Sequence, residues 1–254
     1  MFERTRWMLP ALFCGLLTGA QVACADDHAD EAEPEPPARE IDIAVISDAS
    51  HERMNQTAPD TFEVLFHTTA GNFTVAVTRD WAPIGADRFY NLVNNGYYDG
   101  TRFFRVVPDF VVQWGIHGNS DVNAAWYDPA NAESVNLEDD PVRESNTRGR
   151  IVFATSGPDS RSTQLFVNFG NNRRLDEMGF APFGEVTGDG MAVLEALHDD
   201  YEMFDPRFDN DPGRKISQMH YARFGSEYIQ EYFPELDSII TATVVSQDGE
   251  APPE

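Results

Sequence analysis

The stretch Arg102-Phe103-Phe104-Arg105-Val106-Val107-Pro108-Asp109-Phe110-Val111-Val112-Gln113-Trp114-Gly115 decides the fold. Two apolar runs, 103–107 and 110–114, bend at Pro108-Asp109, as two strands joined by a tight turn would. An arginine and a glutamine sit among strand residues, where desolvation is costly unless each finds a partner. Upstream, Phe62, Val64 and Phe66 alternate with polar neighbours, Ala70-Gly71-Asn72 turns, and Phe73, Val75 and Val77 alternate again. That pattern is a β-hairpin. Pro83 suits the first turn of a helix with Phe89, Leu92 and Val93 on its buried face, ended by Asn95-Gly96. Downstream, 150–155, 164–168, 183–186 and the β-branched run 239–245 read as further strands. Asp189 is placed to cap a second helix carrying Met191, Leu194 and Leu197 at helical spacing. Many short strands with two helices predict a mainly β fold, a closed antiparallel barrel with two helices capping its ends.

The 254 residues carry 43 Asp+Glu against 18 Lys+Arg, a formal charge of −25, and 41% are hydrophobic, enough for one sizeable core. Collagen-like, disulfide-scaffold and wholly disordered classes are excluded by composition. Phosphates and anionic headgroups repel so acidic a chain, so neither nucleic acid nor a membrane surface is an expected partner. At the start, Arg4 and Arg6 precede the apolar run Trp7-Met8-Leu9-Pro10-Ala11-Leu12-Phe13-Cys14-Gly15-Leu16-Leu17, and Ala23-Cys24-Ala25 precedes Asp26-Asp27. This is the pattern of a cleaved secretory signal over 1–25, and the apolar run falls short of the roughly 20 residues that span a bilayer. Cleavage would remove both cysteines, Cys14 and Cys24, which suits a periplasmic or secreted protein without disulfides. The rival reading is a lipoprotein acylated on Cys24, for which Gln21 is a poor match three residues upstream. An acidic, proline-rich tether over 26–58 follows, within which Ile41-Asp42-Ile43-Ala44-Val45-Ile46 reads as an edge strand. The globular domain is expected over 59–246, with a disordered tail over 247–254, and as a monomer.

No nucleophile elbow, zinc-protease helix, P-loop or dinucleotide fingerprint is present. The histidines at 28, 51, 67, 117, 198 and 220 lack ligand spacing, so neither a metal nor a cofactor is expected. Asp205, Asp209 and Asp211 before Gly213 depart from a calcium loop and read as a solvated acidic segment.

Three ordered segments carry a resemblance. Asn95-Gly96-Tyr97-Tyr98-Asp99-Gly100-Thr101 leads into the opening stretch, and Gly149-Arg150-Ile151-Val152-Phe153-Ala154-Thr155-Ser156-Gly157-Pro158 continues to Ser162-Thr163-Gln164-Leu165-Phe166-Val167. Phe183-Gly184-Glu185-Val186 follows in the same order. Over about residues 60–245 the chain resembles the cyclophilins, peptidyl-prolyl cis-trans isomerases. The resemblance implies that Arg105 addresses the proline carbonyl and nitrogen, and that Gln113 orients the arginine and the substrate backbone. It places Phe110, Val111, Phe166 and Leu175 around the proline ring and counts Phe180 among the substrate-binding residues. Ala154, Thr155, Ser156, Gln164 and Leu165 fall where the family lines the groove for the preceding residues. On residue type alone Arg105 also reads as a structural ion-pair arginine, and Phe110 and Phe166 as plain core. The ordered resemblance reverses that for Arg105, Phe110 and Gln113, while Leu165 and Val111 stay open between groove and core.

The chain also departs from the family pattern. Phe104 and Phe180 stand where many members have histidine, and no tryptophan occurs around Arg173-Arg174-Leu175, which puts cyclosporin sensitivity in doubt. The segments 116–148 and 199–225 exceed a minimal member. Two functions follow from the resemblance: an isomerase acting on proline-containing polypeptides in exported proteins, or a module that binds such segments, as a chaperone does, without turnover.

Overall fold

Alternation of apolar and polar side chains builds the wall of the fold. The computed structural model describes residues 39–203 and 215–252; the expected signal, the expected tether up to residue 38 and the expected acidic segment with Asp205, Asp209 and Asp211 lie outside them. In chain order the elements are α1 (Ile43–Ile46), β1 (Thr61–Thr68), β2 (Gly71–Thr78), α2 (Pro83–Asn94), β3 (Arg105–Val107), β4 (Val111–Trp114), α3 (Ser120–Tyr127) and α4 (Ala132–Val135). They continue with β5 (Arg150–Phe153), β6 (Leu165–Asn168), β7 (Pro182–Thr187), α5 (Gly190–Glu195), α6 (Gln218–Phe224), α7 (Ser226–Tyr232) and β8 (Ile239–Gln247).

All strand pairs are antiparallel, in the order β3-β4-β6-β5-β7-β2-β1-β8. The sheet curls until its two edges meet. The Phe103 N–H donates to the Asp237 carbonyl and the Ile239 N–H to that of Thr101, so the residues just before β3 join the start of β8. Barrel closure of this kind leaves no long edge to template aggregation. Every second residue of β1 and β2 points inward. Phe66 and Phe73 face each other across the hairpin with rings stacked at 4.6 Å. Trp114 meets both edge-on, and Phe89 of α2 packs on Phe62, Phe66 and Phe183.

Both expected helices are present. Pro83 opens α2, and Gly96, at φ +78°, turns the chain out of it. In α5, Met191 and Leu194 are buried and Leu197 follows, but the Asp189 side chain makes no capping bond.

The segment 39–58 differs from the expected tether and edge strand. Asp42 accepts from the Ala44 and Val45 N–H groups and starts α1. Val45 and Ile46 enter the core, and the Trp126 indole donates to the Ile46 carbonyl at 2.6 Å. Along α2, Asp87, Asn91 and Asn95 recur every fourth residue and bind backbone groups of Ala58, Gln56 and Arg53. Arg39 forms a two-pronged ion pair with Asp99. The folded body therefore begins by residue 39, because this segment supplies both apolar side chains and backbone partners that a bare barrel would leave unmet. At the other end, Asp248 still accepts from the Thr61 N–H and Gln247 pairs with Glu250, so order passes the expected start of the tail.

Among the described residues, five helices were not expected. Two of them, α6 and α7, pack Tyr221, Tyr228, Ile229 and Phe233 onto Phe104, Ile116, Ile216 and Leu236, a second core beside the barrel.

Candidate active site

Strand register assembles the site on the outer face of the sheet. Arg105 of β3 pairs with Gln113 of β4, Gln113 with Phe166 of β6, and Phe166 with Val152 of β5, one row across four strands. Their neighbours Val112, Trp114, Leu165, Val167, Ile151 and Phe153 point into the barrel core. Val111, Val152, Phe166 and Leu175 form a separate apolar cluster, with Phe110, Ala154 and Phe180 against it. All of these but Val152 line a cavity of about 500 Å³, within the range of small-ligand sites.

Arg105 is held by the row itself. Its Nη1 donates to Gln113 Oε1 at 3.0 Å, and Gln113 Nε2 donates to Gln164 Oε1 at 2.9 Å. Gln113 is 6% exposed, and these two bonds orient its amide. The guanidinium lies 5.5 Å from the Phe110 ring centre. Among the described residues no carboxylate pairs with Arg105, and burial pushes its pKa below the ordinary arginine value. An arginine kept short of partners at a cavity wall has donors left for a ligand.

Of the residues singled out from sequence, Arg105, Phe110, Val111, Gln113, Ala154, Thr155, Ser156, Gln164, Phe166, Leu175 and Phe180 all line the cavity. Leu165 does not. It is fully buried in the barrel core opposite Trp114, because strand alternation sends it away from Phe166. Val111, left open between groove and core, belongs to the cavity. Phe180 meets Phe166 edge-on at 5.5 Å. On the polar wall, Ser160 Oγ bonds the Thr155 hydroxyl at 2.7 Å and accepts from the Ser156 N–H at 2.9 Å, which stiffens the 155–160 turn.

Sequence reading missed several contributors. Arg174 places its guanidinium 4.9 Å from the Phe110 ring centre. Asn172 donates to the Phe110 carbonyl at 2.9 Å and to Asn168 Oδ1 at 2.8 Å, while Asn146 donates to the Phe180 carbonyl at 2.8 Å. Asn168 donates to Asn146, so buried amides link both ends of the aromatic wall. The signal available was the crowding of asparagines around 168–172. Trp126, Tyr127 and Gln218 also line the cavity, from α3 and α6.

Residues 63–219 match the family model described as cyclophilin type peptidyl-prolyl cis-trans isomerase/CLD. "Peptidyl-prolyl cis-trans isomerase A" of Dickeya dadantii is 37% identical over 139 residues, 53% of this chain and 70% of that protein. "Peptidyl-prolyl cis-trans isomerase" of Acinetobacter baylyi is 35% identical over 135 residues, 51% of this chain and 68% of its own. A crystal structure of a Cryptosporidium parvum cyclophilin type isomerase aligns over 74% of this chain and 99% of its own, with 17% identity and a TM-score of 0.48.

Proposed function

The chain belongs to the cyclophilin-type peptidyl-prolyl cis-trans isomerases, and from that premise we propose that Arg105 stabilises the twisted X-Pro amide while the apolar cavity holds the proline ring. Rotating the bond costs about 18–20 kcal/mol because amide resonance is lost midway. No covalent bond is broken, so the reaction needs no nucleophile and no proton transfer. The prolyl nitrogen becomes a good acceptor only when its lone pair leaves the amide plane. A guanidinium aimed at that nitrogen therefore binds the transition state better than either ground state.

One observation carries this reading: Arg105, without a carboxylate partner among the described residues, is oriented by Gln113 and Gln164 at the edge of the Phe110, Val111, Phe166, Leu175 cavity. A charged hydrogen bond contributes about 1.5–3 kcal/mol, whereas a rate gain of about 10⁵ needs roughly 7 kcal/mol. The remainder falls to clamping of the ring by Phe110, Phe166 and Leu175 and to exclusion of water. Ala154, Thr155, Ser156 and Gln164 take the backbone before the proline.

The clients in this reading are exported polypeptides, met in the periplasm or outside the cell. The support is the basic start, short apolar run and Ala23-Cys24-Ala25 end of the leader. No helix among the described residues is long and apolar enough to cross a membrane. Mass spectrometry of the protein from its native host should find Asp26 at the N-terminus, and a lipid on Cys24 would replace the free form by a lipoprotein.

Exchange NMR on a short X-Pro peptide tests the mechanism. Arg105→Ala should slow turnover about 10- to 150-fold while the dissociation constant changes far less. Equal losses in binding and turnover would make Arg105 a ground-state anchor. Binding by the wild type without exchange above the spontaneous rate would make the protein a binding module.

A further inference from the structure

Next to the proline cavity, α3 and α6 enclose a second one of about 650 Å³. Ile116, Ala124, Met219 and Ala222 make its wall apolar, and Asp128 and Arg223 add one charge of each sign. Tyr127, Asp128, Pro129, Gln164 and Gln218 line both cavities, so the two share a wall. Gln164, the last link of the chain that orients Arg105, thus stands at the junction.

Three features separate this cavity from a packing defect. It opens to solvent: Met219 is 68% exposed, and Ala124 and Arg223 are also exposed. Its walls are fixed. The Ser226 N–H donates to the Gly118 carbonyl at 2.8 Å, and Gly225, at φ +60°, packs so close to that carbonyl that a Cβ would collide with it. The Tyr127 hydroxyl bonds the Gly115 carbonyl at 3.0 Å and the Thr163 hydroxyl at 2.6 Å. Lastly, an exposed methionine at its mouth is an apolar group that re-packs readily around differing partners.

A polypeptide seated by its proline must leave the first cavity, advancing about 3.3–3.6 Å per extended residue. On the Gln164 side the neighbouring cavity lies across the shared wall, within reach of a flanking side chain. We propose that the α3–α6 cavity is a subsite for a bulky apolar client residue close to the proline, so that it selects prolines flanked by leucine, methionine or phenylalanine on one side. The proposal rests on the isomerase reading for its client, and its test is arranged to fail separately.

The probes are a four-residue X-Pro peptide and versions extended by three residues on either side, carrying leucine or serine in the extension. In the wild type, leucine on one side should raise kcat/KM about tenfold over serine, with no such preference on the other side. Ala124→Trp, which fills the cavity from an exposed position, should reduce that preference to near unity, and Met219→Asp should weaken it. Equal rates for leucine and serine on both sides would overturn the proposal, as would a preference that survives both variants. If the wild type turns over no peptide, the isomerase reading fails. The same ratios taken from dissociation constants by fluorescence anisotropy then decide the subsite by themselves.

Discussion

The proline cavity and the α6–α7 core are both apolar, yet they are held together by different means. Around the cavity, the row Arg105, Gln113, Phe166, Val152 is set by hydrogen-bonded strand register, and amide side chains tie its rim. The second core has no ladder of its own. It consists of rings and aliphatic side chains, with Phe233 against Tyr201 at 5.1 Å and Tyr228 at 5.4 Å, and Phe104 edge-on to Tyr221 at 6.1 Å. Position is set by strand register and amide hydrogen bonds in the first region; in the second, ring packing is joined by single hydrogen bonds such as that from the Ser217 N–H to the Tyr228 hydroxyl. Chemistry that must place one guanidinium correctly belongs in the first. A surface that only has to present Met219 and its neighbours can be built by the second.

The sharpest way to break this comparison is Phe233→Ala. Phe233 is 1% exposed at the centre of the second core and lines neither cavity. Truncating a buried phenylalanine costs about 3–5 kcal/mol, so the melting temperature should fall clearly in calorimetry. Turnover of a short peptide, measured well below that temperature, should stay within about twofold of wild type, since the strand row is untouched. A fall comparable to that of Arg105→Ala would show that the two regions work as one.

The same contrast explains what the sequence reveals. Period-two alternation identifies the hairpin, the β3–β4 pair and the outward residues of the row, because one face of each strand is committed to the core. It also holds the answer for Leu165 and Phe166: adjacent strand residues face opposite sides, and pairing Phe166 with Gln113 sends Leu165 inward. Segment matching without that parity misassigns Leu165. The α1 segment is harder. Ile43-Ala44-Val45-Ile46 has the composition of a strand, and it becomes helical through the Asp42 cap and a hydrogen bond from Trp126, 80 residues away. Likewise, α6 and α7 are organised by Phe104 and Ile116, distant in sequence, so no local period announces them. The Phe104 ring is an anchor of this second core.

A smaller effect separates stability from turnover by pH. His117 is buried with its ring 5.4 Å from that of Tyr97, and Nδ1 accepts from the Asn119 N–H. Burial lowers its pKa from 6.5 to about 4. The unfolded chain therefore takes up a proton between pH 6.5 and 4 that the folded chain refuses. Stability should be unaffected above pH 7 and decline by about 3 kcal/mol as the pH drops through that window. Denaturant titrations from pH 7.5 to 4.5 should show this, and His117→Asn should flatten much of the slope. Turnover should show no bell near neutrality, since Arg105 stays charged there and His117 lines neither cavity. A two-limbed rate profile without unfolding would argue for a proton-transfer step.

The smallest expected effect probes the hydrogen-bonded side of the comparison. Asn172 touches no open part of the cavity, but its amide reaches the Phe110 carbonyl and Asn168. The Phe110 carbonyl also accepts from the Phe169 N–H at 2.8 Å, so losing Asn172 removes one of its two donors. Asn172→Ala should cost about 1–2 kcal/mol of stability, the usual cost of leaving a buried acceptor short of a partner. Phe110 packs against the proline ring in both isomers under the proposed mechanism, so a looser Phe110 weakens ground state and transition state alike. The expected kinetic signature is a KM raised about three- to tenfold with kcat little changed, opposite to the kcat loss foreseen for Arg105→Ala. Asn172→Asp, which keeps the shape but replaces the donating amide by a carboxylate, should raise KM as well. If Asn172→Ala lowers stability while KM stays at the wild-type value, the amide chain holds the fold together without shaping the cavity, and ring packing alone fixes Phe110.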